Sequence, residues 1–150
     1  MSELFYLSAD DIVGIHSKTI RASGGLDGFI NRDQIYSIVE HMQNDDYYPE
    51  FEDKISHLVF CLVKFHMFSD GNKRTAVTAA QQFLDRNGLF NFIDDYYNKM
   101  EIIVVAVADG RISKENLKEV MSSLIFGDFY PEMFGLDLES CQKDEFDYAD

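Results

Sequence analysis

The chain has 150 residues and a formal net charge of −14, with 46% hydrophobic and 14% aromatic residues. That length fits one domain with a core of ordinary size, and the apolar content excludes an intrinsically disordered chain. The acidic balance excludes a non-specific nucleic-acid binder, which must neutralise phosphates with Lys and Arg.

In chain order, Ser8 followed by Asp11 reads as a helix start of the capping-box kind, with Ile12, Ile15, Thr19 and Ile20 on one face. His16 falls on that face and reads as a packed or capping histidine. Ser23 to Gly28 holds three glycines in six residues, which is a turn or connector. Asn31-Arg32-Asp33-Gln34 starts a second helix, whose buried positions would be Ile35, Ile38, Val39 and Met42, with His41 at the surface. Asn44 to Asp53 is an acidic, aromatic linker in which Tyr47-Tyr48-Pro49 sets the chain direction. A third helix follows, with Ile55, Leu58, Val59, Leu62 and Val63 at helical spacing. Cys61 within it reads as a small buried hydrophobe, and His57 lies off the apolar stripe with no role assigned.

The next stretch, His66-Met67-Phe68-Ser69-Asp70-Gly71-Asn72-Lys73-Arg74, joins this helix to a fourth one marked by Ala76, Ala79, Ala80, Phe83 and Leu84. Asn87-Gly88 closes that fourth helix. Gly71 permits a positive φ, so amides of Gly71, Asn72 and Lys73 can converge at the helix start, where N–H groups bind anions. Lys73 and Arg74 place cations where the helix macrodipole disfavours them by about 0.3–1 kcal/mol, and broken local rules of this kind gather at functional sites. Asp70 is a hard oxygen ligand of the kind that Mg²⁺ takes in nucleotide sites. Imidazole titrates close to neutral pH, so His66, read as closing the third helix, suits a general base. Each part alone has an ordinary reading, as a dipole contact or a turn. A base, a metal carboxylate and a phosphate cradle within nine residues point to phosphoryl or nucleotidyl transfer to a hydroxyl.

Leu89 to Ile93 reads as briefly extended. Asp94-Asp95 opens a fifth helix with Tyr97, Met100, Val104, Val107 and Ala108 on or near one face, stopped by Asp109-Gly110. Its β-branched content leaves a strand open, but its length favours a helix. Ser113 starts the last helix, with Leu117, Val120, Met121, Leu124 and Ile125 buried, and Gly127 ends it. The fold class is therefore all-α, about six helices, with residues 1–127 as the domain. Residues 128–150 form an acidic aromatic tail that carries eight acidic residues against Lys143. Two cysteines make no disulfide scaffold, and the start lacks the pattern of a signal peptide. The longest aliphatic run, Ile102 to Ala108, is too short to span a bilayer. A soluble protein of the reducing cytoplasm is the expectation.

The run His66-x-Phe68-x-Asp70-Gly71-Asn72-Lys73-Arg74 resembles the signature loop of the Fic/Doc family. Leu7-Ser8-Ala9-Asp10-Asp11-Ile12, Gly24-Gly25-Leu26-Asp27-Gly28 and Tyr48-Pro49 resemble the death-on-curing (Doc) branch, and the likeness covers about residues 5 to 126. The resemblance implies a compact helical domain that transfers part of ATP, with Mg²⁺, to a Ser or Thr hydroxyl of a target protein. His66 would be the base and Asp70 the metal ligand. Gly71, Asn72, Lys73 and Arg74 would hold phosphates, and Phe68 would anchor the loop. Most members transfer AMP, whereas the Doc toxin phosphorylates a threonine of elongation factor Tu.

The AMP-transferring pattern has Gly where this chain has Lys73 and Arg where it has Val77, so phosphate transfer is the first reading. Protein adenylylation and a catalytically silent interaction module are the alternatives. Related proteins position the target with a flap, for which Ser23–Gly28 is a candidate, able to pair with an extended target by strand addition. No segment matches the family's inhibitory helix, so a separate antitoxin is the expected inhibitor. A second hypothesis has the tail folding back on Lys73 and Arg74.

Overall fold

The computed structural model describes residues 3–29, 31–127 and 129–136. Within them the protein is all-helical, with α1 Ala9–Ser23, α2 Arg32–Met42, α3 Phe51–Lys64, α4 Asn72–Arg86, α5 Tyr96–Ala108 and α6 Lys114–Ile125. Short 3-10 turns cover Phe90–Phe92 and Pro131–Phe134.

Most helix starts follow from side-chain caps written in the sequence. Ser8 and Asp11 form the reciprocal capping box of α1, Asn31 accepts from Gln34 N–H at α2, and Ser113 accepts from Asn116 N–H at α6. Each satisfies backbone donors that a helix start otherwise leaves to water, a contribution of about 1 kcal/mol per cap.

The core is organised on α3, which packs against α2, α4, α5 and α6, while α4 also meets α1 and α5. Ile55, Leu58, Val59, Leu62 and Val63 of α3 are all buried, as are Ala76, Ala79, Ala80, Phe83 and Leu84 of α4. The alanines let α4 lie close to its neighbours, while Phe83 fills the far end between Phe51 and Tyr6. The C-terminal end of α4 is tied to the chain start. Asn87 accepts from Phe5 N–H and donates to Phe5 C=O, and Arg86 donates to Tyr6 C=O and pairs with Asp11 at 3.1 Å.

Four expectations change. Residues 90–92 form a 3-10 turn rather than an extended piece, because Phe92 and Ile93 donate back to Leu89 and Phe90. On α5, Tyr96 is buried with its hydroxyl donating to Val77 C=O, whereas Tyr97 is 57% exposed. Helix α5 is apolar nearly all round, so its sequence carries no phase to separate the two tyrosines. His66 does not close α3: the helix ends at Lys64 with Phe65 as its cap, and His66 follows at φ +45°. His57, off the apolar stripe, is nonetheless buried, because Tyr48 of the linker folds over it.

Past Gly127 the chain returns to the body, with Phe129 and Leu136 buried in the hydrophobic core cluster. The hypothesis that the tail reaches Lys73 and Arg74 concerns a segment of which residues 137–150 lie outside the described residues. Among the described residues no helix is long and apolar enough to cross a membrane.

Candidate active site

The segment between α3 and α4 is a short loop held from both sides. Phe68 is 1% exposed, stacked face to face on His16 at 3.8 Å between ring centroids and tilted against Phe29 at 5.5 Å. The Asn72 side chain closes the loop on itself, accepting from Phe68 N–H at 3.2 Å and donating to Phe68 C=O at 3.0 Å. Asn72 is 2% exposed, and these two bonds commit its side chain to the loop. Gly71 is the N-cap of α4 at φ +79° and ψ 19°, a left-handed conformation that glycine adopts without strain. The chain therefore turns sharply into α4, and Asn72, Lys73 and Arg74 form its first turn, where the positive end of the peptide dipole lies.

His66 lies at the start of this loop and is exposed, with a backbone in the left-handed region. A non-glycine residue there costs on the order of 1 kcal/mol, and its surroundings must hold it. Asp70 is partly exposed, and both of its oxygens have partners. Oδ1 accepts from Gly71 N–H at 2.9 Å, and Oδ2 accepts from Leu26 N–H at 3.2 Å. Arg74 Nη2 lies 3.6 Å from Oδ1, and Arg74 Nη1 donates to Ser23 Oγ at 2.6 Å and Gly24 C=O at 2.9 Å. Arg74 Nε is buried with no hydrogen-bond partner. Lys73 and Arg74 are 6% and 8% exposed, so the two cations are set into the protein rather than displayed on it. Beside Arg74 a cavity of about 320 Å³ opens, lined also by Thr19, Ser23, Val77, Thr78 and Tyr97.

The Ser23–Gly28 stretch is more than the plain connector its composition suggested. It lies against the site, contributing Leu26 N–H to Asp70 and Ser23 and Gly24 to Arg74. A Cβ on Gly25, which sits at φ +123°, would come within 2.7 Å of Asp70 Oδ2 and 3.2 Å of Arg74 Nη2. Only a residue without a side chain fits at that approach. Ser69 N–H donates to Gly28 C=O and Asn31 N–H to Met67 C=O, so Phe29 and Phe68 form an antiparallel bridge between the two loops.

Sequence reasoning gave His16 a packed or capping place. The ring is indeed buried, and its Nε2 also meets Asp70 C=O at 2.6 Å, a contact across 54 positions that no local pattern reveals. Among the described residues no group of three or more His, Cys, Asp or Glu side chains could hold a metal ion. Asp70 supplies one hard, partly exposed carboxylate, which is the protein share that Mg²⁺ takes when nucleotide phosphates and water complete its octahedron. The donor set therefore fits a metal that arrives with a nucleotide.

Fold and site together define a helical domain built around a loop that opens a core helix. The sequence profile of the Fic/DOC family matches residues 6–84, and the chain belongs to that family. It is 29% identical over 123 residues to "Protein kinase doc" of Escherichia phage P1, covering 79% of this chain and 94% of that protein. It is 32% identical over 111 residues to "Toxin Doc" of Mycolicibacterium smegmatis, covering 69% of this chain and 80% of that protein.

Proposed function

We propose that this protein is a Doc-like toxin of a toxin–antitoxin system, transferring the γ-phosphate of ATP to a Ser or Thr hydroxyl of a cytoplasmic protein. Elongation factor Tu is the first target to try. The observation that carries the reading is the pairing of partly exposed Asp70 with inset Arg74, 3.6 Å apart at the Gly71 turn that opens α4, in the same interhelix segment as exposed His66. Names of the two relatives, a kinase and a toxin, support it.

In this mechanism His66 takes the proton of the target hydroxyl as its oxygen attacks the γ-phosphorus, and ADP leaves. Arg74, Lys73 and the first-turn amides of α4 from Asn72 onward neutralise charge on the phosphates, while Gly71, whose own N–H is held by Asp70 Oδ1, provides the left-handed turn that aims them. Asp70 would hold the Mg²⁺, which would supply Lewis-acid neutralisation of phosphate charge. Asn72 serves through its backbone, since its side chain keeps Phe68 and the loop in place. Phe68 anchors the loop in the core. Arg74 gives up its bonds to Ser23 and Gly24, or shares them, when phosphate arrives. Val77, beside Arg74 in the cavity wall, brings no charge to a phosphate, which favours phosphate over AMP transfer.

Intact-mass spectrometry of candidate targets after incubation with this protein, ATP and Mg²⁺ tests the proposal. A gain of one phosphate that a His66→Ala control lacks is the expected result. A gain of AMP would establish adenylylation instead, and absence of ATP binding by calorimetry would leave a silent interaction module.

A further inference from the structure

We infer that His16 is a positioning residue for the reaction, acting through the Asp70–Gly71 peptide plane on the carboxylate that takes the metal. The inference rests on the proposed function for what Asp70 does, and on geometry for what His16 does.

The peptide unit between Asp70 and Gly71 is gripped at both ends. Its carbonyl oxygen lies 2.6 Å from His16 Nε2, and its N–H donates to Asp70 Oδ1 at 2.9 Å. A carbonyl oxygen only accepts, so Nε2 carries the hydrogen and the tautomer of His16 is set. The orientation of this one plane then decides where the Gly71 N–H points, and so which way the Asp70 carboxylate is held. Gly71 makes the hold necessary. With no Cβ it tolerates several backbone conformations, and rotation of the plane is cheap unless something outside the loop fixes it. His16 is suited to that task because it is itself immobile. It is 2% exposed, stacked at 6° on Phe68, and its Cδ2 lies 3.6 Å from where a Cβ on Gly71 would sit.

The second ring nitrogen looks the other way. Nδ1 lies 3.8 Å from Asp27 Oδ1, in the glycine-rich loop whose Leu26 N–H holds the other Asp70 oxygen. One buried ring on α1 thus sits between the two loops that set the carboxylate, holding a metal-binding group in its orientation from behind. Stacking alone would be served by any flat apolar ring, whereas the bond to Asp70 needs a donor at Nε2. That difference makes the inference testable.

The experiment compares full-length wild type, His16→Phe, which keeps a ring on Phe68 and loses the donor, and His16→Gln, whose amide can donate from about the same place. Calorimetry with the non-hydrolysable imido analogue of ATP, with Mg²⁺ and in EDTA, reads the metal-dependent gain in affinity, and melting curves read the fold. In His16→Phe the Mg²⁺-dependent gain should fall by about 10–100-fold while binding in EDTA is kept, and His16→Gln should restore most of it. An unchanged Mg²⁺-dependent gain in His16→Phe overturns the inference. So does equal loss in both variants, or a loss that merely follows the melting temperature. A wild type that binds no Mg²⁺-nucleotide at all sinks the proposed function instead. Should His16→Phe fail to fold, nitrogen NMR of the wild type decides: hydrogen on Nε2 of His16 is required, and hydrogen on Nδ1 alone overturns the assignment.

Discussion

His57 and His66 come from the same stretch of chain, one inside α3 and the other just past its end, yet they are opposite kinds of histidine. His57 is 5% exposed, with the Tyr48 ring 4.3 Å away and Cys61 Sγ 3.7 Å from Nδ1. Burial, reinforced by the charges of Lys114 and His41, pushes its pKa down to about 4. Such a ring resists becoming charged and is almost wholly covered. His66 stands in the open, four positions before Asp70 in the chain, on a backbone strained enough to need a reason. Residue type is shared, and environment assigns the work.

The sharpest way to break that contrast is to remove each ring. His66→Ala should cost transfer about 10²–10⁴-fold, the usual worth of a general base, and leave the melting temperature unchanged. The corresponding change at position 57 should lower stability and leave the chemistry intact. Rates on the target and melting curves of both variants check this.

Next in size is the anchor of the His66 loop. Phe68→Ala empties a site in the core between His16 and Phe29 and should destabilise the protein by about 3–5 kcal/mol, read from denaturant unfolding.

The smallest effect sharpens the contrast from the His57 side. An unfolded imidazole takes its proton near pH 6.5, whereas folded His57 resists protonation down to about 4. Between those values the unfolded chain binds the extra proton, so stability falls as pH drops through this window, by roughly 3 kcal/mol at most, and is unaffected above it. Denaturant midpoints from pH 7.5 to 4.5 should slope less in His57→Phe than in the wild type. Asp11, held below its usual range chiefly by the Ser8 N–H, contributes stability that is lost only at still lower pH.

Much of the fold was readable because it is local. Ser8, Asn31 and Ser113 mark their helices by capping chemistry, and the apolar faces of α3, α4 and α6 follow helical spacing. Helix α5, apolar on nearly every side, gave its existence but not its orientation, hence the exchange of Tyr96 and Tyr97. At the site the residue types were legible as one continuous run, while their partners were not. Ser23 on Arg74, Leu26 on Asp70 and His16 on Asp70 are contacts between segments about fifty positions apart. The glycines at 24, 25 and 28 were visible as a loop signal, and a close approach to another chain segment was the second meaning they carried.

The clasp between Phe5 and Asn87 bears on how the molecule comes apart. Both polar groups of the Phe5 peptide are spent on one side chain at the end of α4, with Arg86 alongside on Tyr6. Release of Phe5 and Tyr6 therefore breaks their bonds to Asn87 and Arg86, at the end of the helix whose other end carries Lys73 and Arg74. In native-state hydrogen exchange the Phe5 amide should share its opening free energy with the last turn of α4, so that the two exchange as one cooperative unit.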